Sequence, residues 1–555
     1  MTSPFAFLLL LVAPASAQTV GGSFDTLYQW DGAAANDRFG YSVSAAGDLN
    51  QDGFDDLIVG TKYSSPGGLT EAGSAFVYSG VDGSLLYQWD GATANARLGA
   101  SVSSAGDVNG DGFDDVIVST YGVGTVSVYS GMDGSELHQW NGTGSGDWFG
   151  ISVSGAGDVN ADNFDDVIVG AWYADPGGIS NAGSAFVYSG ADGSLLHRLD
   201  GVGSYDRIGY SVSGAGDVNR DGYYDVIVGA PYAGHGSTGD AGSAMVYSGL
   251  DGTLLYQWDG QLTGEELGHS VSDAGDVNQD GFDDFLIGAL AGGQSNGWAG
   301  TAYVYSGMDG ALLYQWEGVL GDRYGSHVSS AGDIDGDGTN DLIVGAMFAS
   351  PGGFSLAGSA YVYSGANGSL LQRLDGGAAY DYFGGSVSGA GDVNGDGLDD
   401  LIISALYADP MGFSNAGSVY VYSFNPFMRA NISSISASAG GVLNLNLDFP
   451  DAAGFDEYKI LISKSGIGPS WHGVDIPLTR DSLVLDTYFG IYPVSVYNNM
   501  HGTLDVNGDA SGSLTVPAGI SSALIGNTFF FAAIANQPGQ LPEFSSVAIL
   551  ITITP

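Results

Sequence analysis

The sequence predicts an all-β protein, a seven-bladed β-propeller with four-stranded blades followed by a small β-sandwich-like domain. A unit of four short strands, bounded by Gly and Asp turns, recurs seven times. The motif of the fourth strand also stands before the first unit, at residues 27–32, and is missing after residues 419–423 of the last unit. The N-terminal strand is therefore expected to complete the seventh blade. An open solenoid is the alternative, and these ends of the array argue against it.

Residues 1–17 have the pattern of a secretory signal peptide. An apolar core spans residues 5–13, and Ala15, Ser16 and Ala17 form a small-residue site that predicts cleavage after Ala17. No Lys or Arg precedes the core, and a buried N-terminal strand is the alternative. The chain has no Cys, so bound metal is expected to replace the disulfides that secreted domains often use. We expect a secreted or cell-surface protein without a membrane span.

Each repeat opens with a Phe-Gly pair or its equivalent. The openings are Phe39, Leu98, Phe149, Ile208, Leu267, Tyr324 and Phe383. In the first unit we predict strand A at residues 40–46, strand B at 57–61, strand C at 74–79 and strand D at 85–89. The second unit is shorter than the others because its B–C loop, residues 121–125, is truncated. This truncation is expected to notch the rim of one propeller face.

The strongest functional signal is a nine-residue acidic loop between strands A and B of every unit. Oxygen-bearing side chains recur at positions 1, 3, 5 and 9, and position 6 holds Gly or, in the third loop, Asn163. Such a loop points alternate side chains inward, and the carbonyl of position 7 adds a fifth oxygen. One loop would be an ordinary Asx turn, but seven in register indicate up to seven structural Ca²⁺ ions. All-oxygen ligands favour calcium over zinc or copper, and their number favours it over magnesium.

The predicted metal ligands are positions 1, 3, 5, 7 and 9 of the seven loops, with position 7 binding through its main-chain carbonyl. They are Asp48, Asn50, Asp52, Phe54, Asp56, Asp107, Asn109, Asp111, Phe113, Asp115, Asp158, Asn160, Asp162, Phe164, Asp166, Asp217, Asn219, Asp221, Tyr223, Asp225, Asp276, Asn278, Asp280, Phe282, Asp284, Asp333, Asp335, Asp337, Thr339, Asp341, Asp392, Asn394, Asp396, Leu398 and Asp400. Because Asn tolerates a left-handed backbone, Asn163 is expected to weaken its site without abolishing it.

The composition excludes several classes of partner. The formal net charge is −50, from 62 acidic and 12 basic residues, and it would repel nucleic acid and anionic membranes. No phosphate loop or Cys nucleophile occurs, so we assign no catalytic residue and expect no enzyme. His269 and His327 both fall on strand A and are expected near the central channel, more simply as core residues than as a catalytic pair.

The repeat resembles the FG-GAP repeat of integrin alpha-chain propellers. The fourth unit carries the resemblance through Ile208-Gly209, the loop from Asp217 to Asp225, Gly229-Ala230-Pro231 and residues 242–247. It covers about residues 27–423 and implies that each acidic loop binds calcium on one propeller face. Integrin chains usually carry this loop on some blades only, whereas every blade has it here. The integrin thigh and calf regions, membrane span and inserted ligand-binding domain have no counterpart in this sequence, so heterodimerisation is not implied.

The repeat stops at Pro426, and the chain beyond it predicts a second all-β domain. Residues 443–449, 458–463, 528–535 and 547–553 alternate or run apolar like sandwich strands. We divide the chain into a signal peptide at 1–17, a propeller at 24–424 and a C-terminal domain at 427–555. That domain is open to roles as a glycan binder, a docking module, an anchor or a packing partner. Residues 505–509 echo the acidic loop but lack its Gly, which favours a polar hairpin turn.

Antiparallel connectivity places the B–C and D–A loops on the face opposite the acidic loops. Aromatic side chains in these loops would either anchor a partner or wedge between blades: Tyr63, Trp148, Trp172, Tyr173, Tyr205, Tyr232, Trp298, Phe348, Tyr380, Tyr382 and Tyr407. The leading hypothesis is a secreted, calcium-binding propeller that binds an extracellular protein or polysaccharide in an adhesion-like role. A polysaccharide-active enzyme and a purely structural envelope or matrix protein are the alternatives.

Overall fold

The computed structural model describes residues 20–426 except 143, 145, 235–238 and 293–297, and beyond 426 it describes separate strand segments. The predicted signal peptide and residues 505–508 lie outside the described residues. Phe24–Asn425 form one compact unit, and the strands beyond Pro426 belong to another. In the part of the chain that is described, no helix is long and apolar enough to span a membrane.

The repeat region forms seven sheets of four antiparallel strands, which confirms the predicted blades. Six sheets take consecutive strands: β2–β5, β6–β9, β10–β13, β14–β17, β18–β21 and β22–β25. In chain order with β1, these strands are β1 (Val20–Asp31), β2 (Ser42–Gly47), β3 (Asp56–Thr61), β4 (Ser74–Tyr78), β5 (Leu85–Asp90), β6 (Leu98–Gly106), β7 (Asp115–Thr120), β8 (Thr125–Tyr129), β9 (Glu136–Asn141), β10 (Phe149–Gly157), β11 (Asp166–Ala171), β12 (Ser184–Tyr188), β13 (Leu195–Asp200), β14 (Ser211–Gly214), β15 (Val226–Ala230), β16 (Ser243–Tyr247), β17 (Leu254–Asp259), β18 (Leu267–Gly275), β19 (Asp284–Ala289), β20 (Thr301–Tyr305), β21 (Leu312–Glu317), β22 (His327–Gly332), β23 (Asp341–Ala346), β24 (Ser359–Tyr363) and β25 (Leu370–Asp375).

The seventh blade joins the two ends of the repeat array. It consists of β26 (Phe383–Gly391), β27 (Asp400–Ala405), β28 (Ser418–Pro426) and, paired with β28, the N-terminal β1. The hydroxyl of Ser418 donates to Asp31 at 2.7 Å, as Ser74 does to Asp90 inside blade one at the same distance. The first strand therefore takes the place of strand D in the last blade, and the predicted ring closure is confirmed.

The strand-D motif ties each blade to the next. Trp30 Nε1 donates to the carbonyl of Gly83 at 3.1 Å, and the Tyr28 hydroxyl donates to Gly80 at 2.7 Å, both in the C–D turn of blade one. Trp30 also stacks on Tyr78 with ring centroids 4.4 Å apart. The same Trp contact recurs between later blades. A large, partly buried aromatic ring with one satisfied donor fits this position, in keeping with the recurring Gln-Trp of strand D.

The core lies between neighbouring blades and is built around strand B. Every residue of β3, β11, β19, β23 and β27 is buried, as expected for continuous apolar runs. Close packing of blades demands glycine where backbones meet. A Cβ added at Gly60 would lie 2.1 Å from the carbonyl oxygen of Gly99 in the next blade. In the first blade, strand A begins at Ser42 rather than at the predicted residue 40.

Short 3₁₀ turns in four B–C loops are the only helical segments among the described residues: Pro66–Gly68, Pro176–Gly178, Pro351–Gly353 and Pro410–Gly412. The described strands beyond Pro426 form two sheets, one in the order β29-β31-β35-β33 and one containing β37-β36-β32-β34 with β38 between β36 and β30. These strands are β29 (Met428–Ala430), β30 (Ser434–Ser436), β31 (Gly441–Asp448), β32 (Glu457–Ser463), β33 (Tyr497–Asn498), β34 (His501–Thr503), β35 (Asp509–Val516), β36 (Thr528–Asn536), β37 (Phe544–Ser546) and β38 (Ile549–Thr554).

Candidate metal centre

Each acidic loop connects strands A and B, and its own carboxylates organise its backbone. In the first loop, Asp48 follows β2 and Asp56 begins β3. Asp48 Oδ1 accepts a hydrogen bond from the amide of Asp52, and Oδ2 accepts one from Gly53, both at 3.0 Å. Gly53 has a φ of 90°, a left-handed value that glycine adopts readily. The turn therefore brings positions 1, 3 and 5 to one side of the loop.

The same turn recurs in all seven blades. The amide of position 6 donates to the position-1 carboxylate in every loop, at 2.7 to 3.0 Å. The third loop keeps the bond although it has Asn163 in place of Gly, because Asn163 adopts a left-handed φ of 68°. Seven loops of different detailed sequence thus share one backbone arrangement.

Position 9 places a fully buried carboxylate beneath each loop. Asp56 is 0% exposed, and its oxygens accept the amides of Leu49 and Gly80, each at 3.1 Å. Its six equivalents are equally buried: Asp115, Asp166, Asp225, Asp284, Asp341 and Asp400. Burial raises the pKa of Asp56 to about 7, and it acts in the same way on the other six. A cation at the loop would offset this desolvation.

The sixth loop brings its carboxylates closest together. Oxygens of Asp333, Asp335 and Asp341 all lie within 4.8 Å of one another, close enough to share one metal ion. Burial, followed by the charges of the neighbouring aspartates, raises the pKa of Asp335 and of Asp341 well above the usual range. This loop is also the one that has Asp rather than Asn at position 3.

The residues present fit calcium. The side chains at positions 1, 3, 5 and 9 offer only oxygen ligands, which is the donor set that calcium prefers. In the third loop Asn160 Oδ1 is buried and has no hydrogen-bond partner, so it is an acceptor that lacks a positive group. This orphaned oxygen occupies ligand position 3, and a cation held by the loop would satisfy it.

Side chains at position 8 of some loops make a contact between blades that the sequence analysis did not predict. Asp114 of the second loop accepts the main-chain amide of Asp48 in the first at 3.1 Å. Equivalent bonds join later pairs of loops, and Asp55 closes the ring by accepting the amide of Asp392 at 3.0 Å. Gly47, with a φ of 75°, makes room for Asp114, since a Cβ there would lie 2.1 Å from its Oδ2. The recurring Asp-Asp pair at positions 8 and 9 was the available signal.

The aromatic residues predicted on the opposite face fall into two groups that differ in solvent exposure. Trp148, Tyr205, Trp298 and Tyr380 are 39 to 58% exposed. The other seven are half-buried, and several of these stack on one another or on exposed neighbours. For example, the centroids of Trp148 and Trp172 are 5.3 Å apart. Four of the aromatic side chains are therefore open to solvent, whereas the other seven are partly covered.

The two strand-A histidines do approach each other. Burial lowers the pKa of His269 to about 3 and that of His327 to about 4, and the charge of His327 contributes to the shift of His269. Both are therefore neutral at neutral pH. His269 Nδ1 lies 3.9 Å from a Glu266 carboxylate oxygen, and it has no hydrogen-bond partner among the described residues.

Comparison with known proteins identifies the repeat. The FG-GAP repeat family matches residues 39–78, 98–129, 208–247, 270–305, 324–363 and 383–422. The third unit lies outside these matches, yet β10 to β13 give it the same four strands.

The curated relatives include integrin alpha chains. Integrin alpha-4 of Xenopus laevis is 33% identical over 263 residues, which cover 44% of this chain and 24% of the relative. Integrin alpha-V of Gallus gallus is 25% identical over 308 residues, covering 53% and 26%, and integrin alpha-5 of Xenopus laevis is 32% identical over 280 residues, covering 45% and 26%. The chain spans about a quarter of the length of these relatives. The resemblance inferred from the motifs is confirmed: the chain is an FG-GAP repeat protein whose propeller resembles the N-terminal propeller of the integrin alpha chains.

Proposed function

We propose that this chain is a secreted or cell-surface calcium-binding propeller that binds an extracellular protein or polysaccharide in an adhesion-like role, without catalysis. The observation that carries the proposal is the repetition of one loop geometry in all seven blades, each with a fully buried carboxylate. The similarity to integrin alpha chains supports the extracellular, adhesion-type part. In this proposal the signal peptide is removed after Ala17, residues 24–424 form the propeller, and residues 427–555 form a separate all-β domain.

The proposed calcium ligands are the side chains at positions 1, 3, 5 and 9 and the carbonyl at position 7. When bound, calcium neutralises these clustered carboxylates and cross-links the ends of strands A and B. The loop residues themselves supply a backbone that is already turned, through the amides that donate to position 1. In four pairs of neighbouring loops a position-8 carboxylate accepts the first amide of the adjacent loop, so metal binding in one of these blades is expected to stabilise its neighbour.

The partner is proposed to bind the face opposite the metal loops. Four exposed aromatic residues there, Trp148, Tyr205, Trp298 and Tyr380, offer large apolar surfaces with few rotatable bonds. The metal loops on the other face are short, alike and strongly acidic, which suits a structural role better than recognition of a specific partner.

The proposal is tested by screening the full chain against arrays of extracellular proteins and glycans in calcium, in EDTA, and after calcium is restored. We expect saturable binding in calcium that is lost in EDTA and regained on restoration. An Asp82→Ala variant serves as control, because Asp82 lies outside the metal loops in an exposed C–D turn. Turnover of a glycan, or self-assembly without saturable binding, would contradict the proposal.

A further inference from the structure

Asparagine is one of the chemically labile residues, and it is least protected when glycine follows it, because glycine has no Cβ to shield its main-chain nitrogen. That nitrogen can attack the side-chain amide carbon of the asparagine and displace ammonia. The sequence contains six Asn-Gly pairs, of which the structure describes Asn109-Gly110, Asn141-Gly142, Asn367-Gly368 and Asn394-Gly395. Asn109 and Asn394 stand at position 3 of the second and seventh acidic loops, so this chemistry falls on two proposed metal ligands.

The glycine of each loop pair lies where neighbouring loops pack together. A Cβ at Gly110 would lie 2.6 Å from Cε1 of Phe164 in the third loop, and one at Gly395 would lie 2.5 Å from Cε1 of Phe54 in the first. Both glycines also have a left-handed φ, of 72° and 71°. A larger residue would meet the neighbouring ring and carry backbone strain. The labile pairs are therefore part of the contact between loops.

The hydrogen bonds of the second loop hold the reacting groups in one turn. Asn109 Oδ1 accepts the amide of Asp111 at 2.9 Å, and the ring of atoms that this bond closes contains both the Asn109 side-chain carbon and the Gly110 nitrogen. The Gly110 amide donates to Asp107 Oδ1 at 2.7 Å. The attacking nitrogen therefore points its proton at a carboxylate that can accept it. Gly110 is also exposed, so water reaches the pair.

The seventh loop has the same pair in a more restrained form. Asn394 Nδ2 donates to the Ser423 hydroxyl at 2.8 Å and to Asp400 Oδ2 at 3.1 Å, so its amide group is held away from reaction. In the part of the chain that is described, Asn109 Nδ2 makes no such bond, and no carboxylate accepts the Gly395 amide. Asn394 is therefore expected to react more slowly than Asn109.

The two described pairs outside the acidic loops are protected at the nitrogen. The Gly142 amide donates to the carbonyl of Gly124, and the Gly368 amide donates to the carbonyl of Ser364, both at 2.8 Å. A main-chain carbonyl holds the amide proton but does not remove it, so these pairs lack the base that Asp107 supplies in the second loop. Neither pair lies in a metal loop, and both serve as internal controls.

We infer that Asn109 deamidates when the second loop lacks metal, so that this side chain records how long the protein has been without calcium. The inference rests on the proposed calcium sites. The Gly110 nitrogen forms a bond to Cγ of Asn109, and its proton passes through Asp107 to the departing side-chain nitrogen, which leaves as ammonia. Water then opens the five-membered imide, at Cγ to give Asp or at the main-chain carbonyl to give isoaspartate. Asparagine and water are consumed, and no oxidant or reductant is needed.

The metal state controls the rate because both reacting side chains are proposed ligands. When bound, calcium engages Asn109 Oδ1 and the Asp107 carboxylate. The side-chain carbon is then fixed away from Gly110, and Asp107 is no longer free to take the proton. Reaction therefore proceeds from the metal-free fraction, which is about 1% of the sites when calcium is a hundredfold above its Kd.

The two products have opposite consequences for the loop. Asp at position 3 gives the second loop four aspartates, the ligand set of the sixth loop, where oxygens of Asp333, Asp335 and Asp341 lie within 4.8 Å of one another. Isoaspartate inserts an extra main-chain atom between positions 1 and 5, which displaces the ligands from one another. One product therefore keeps a more acidic metal site, and the other destroys it.

The test incubates the full chain in heavy-oxygen water at neutral pH, in calcium or in EDTA, below the melting temperature of the EDTA sample. Peptide mass spectrometry then measures the heavy oxygen that deamidation incorporates at each pair. Asn109 is expected to react up to about a hundredfold faster in EDTA than in calcium. Asn141 and Asn367 are expected to react at the same rate in both, which also establishes that the chain stays folded. Asn394 is expected to remain slower than Asn109 in EDTA.

A pair of variants isolates the second loop while the other loops stay loaded. Asp111→Ala removes the position-5 carboxylate but keeps the amide that bonds to Asn109, so Asn109 is expected to react in calcium nearly as fast as the wild type does in EDTA. Asp52→Ala removes the equivalent carboxylate of the first loop and is the matched control, in which Asn109 is expected to stay protected. Thermal melts establish that both variants are folded.

Three outcomes would overturn the inference: equal rates at Asn109 in calcium and in EDTA, equal acceleration of all four pairs by EDTA, or a metal-free Asn394 that reacts as fast as Asn109. Calorimetry separates this failure from that of the proposed function. If the second loop binds calcium and the rate at Asn109 does not change, the inference fails while the calcium sites stand. If the chain takes up no calcium at all, the proposed sites fail instead.

Discussion

The two faces of the propeller follow opposite rules. On the metal-loop face, each blade presents a nine-residue loop in which the position-6 amide donates to the position-1 carboxylate, and four pairs of neighbouring loops are joined by a position-8 carboxylate. On the opposite face, the loops differ in length from blade to blade, and equivalent positions hold Arg, Trp, Glu or Tyr. The metal-loop face repeats its carboxylates in every blade, whereas on the opposite face Arg38, Lys62 and Arg97 meet around Tyr63. The uniform loops suit closure of the ring, and the variable loops suit the partner binding proposed above.

The largest expected effect is on the metal-loop face as a whole. Removing calcium with excess EDTA is expected to lower the melting temperature by many degrees, because each site adds about 2.7 kcal/mol when calcium is a hundredfold above its Kd. The measurement is a thermal melt in calcium, in EDTA, and in EDTA with calcium restored. A melting temperature that is the same in calcium and in EDTA would show that bound metal does not stabilise the metal-loop face.

The cross-blade carboxylates provide the next test. Asp114→Ala is expected to lower the free energy of unfolding by about 1.5–3 kcal/mol, because the amide of Asp48 loses a charged acceptor. Asp114→Asn keeps an acceptor oxygen and is expected to lose less. The measurement is urea unfolding in calcium. Equal stability of Asp114→Ala and wild type would show that the loops act independently.

A single ligand replacement is expected to act on one blade. Asp52→Ala removes the position-5 carboxylate of the first loop, so calcium stoichiometry should fall by one site while the remaining loops keep theirs. Calorimetric titration of the metal-free protein measures the number of sites, with Asp82→Ala as the control on the same blade. An unchanged stoichiometry would contradict the ligand assignment for that loop.

The last prediction concerns the opposite face and depends on pH. Lys62 has a lower pKa in the folded chain, about 7, than the 10.5 of an ordinary lysine, so wild-type stability gains as pH rises between those values. Lys62→Met removes this gain, and its stability advantage over wild type is expected to be largest below pH 7 and to shrink toward pH 10.5. Urea unfolding across this range measures it. A pH-independent difference would mean that folding does not lower the pKa of Lys62.

The repeat allowed much of this fold to be predicted from sequence. Four strands per blade follow from alternating and apolar runs, and ring closure follows from the displaced motif around Trp30. The acidic loops were predictable because their ligands lie within nine residues of one another. The contact of Asp114 with Asp48 and the meeting of Arg38 with Tyr63 were not, since they depend on how separate loops face each other once the ring has closed.

Closure by β1 has a kinetic consequence. Asp31 and its partner Ser418 are 387 residues apart, so the first strand must wait for nearly the entire propeller before it can pair. We therefore expect the pairing of β1 with β28 to be a late step of folding, and until then the seventh sheet has a free edge. At high concentration the unpaired β1 of one molecule can pair with β28 at the edge of the seventh sheet of another. Strand exchange between molecules is therefore the misassembly expected of this architecture.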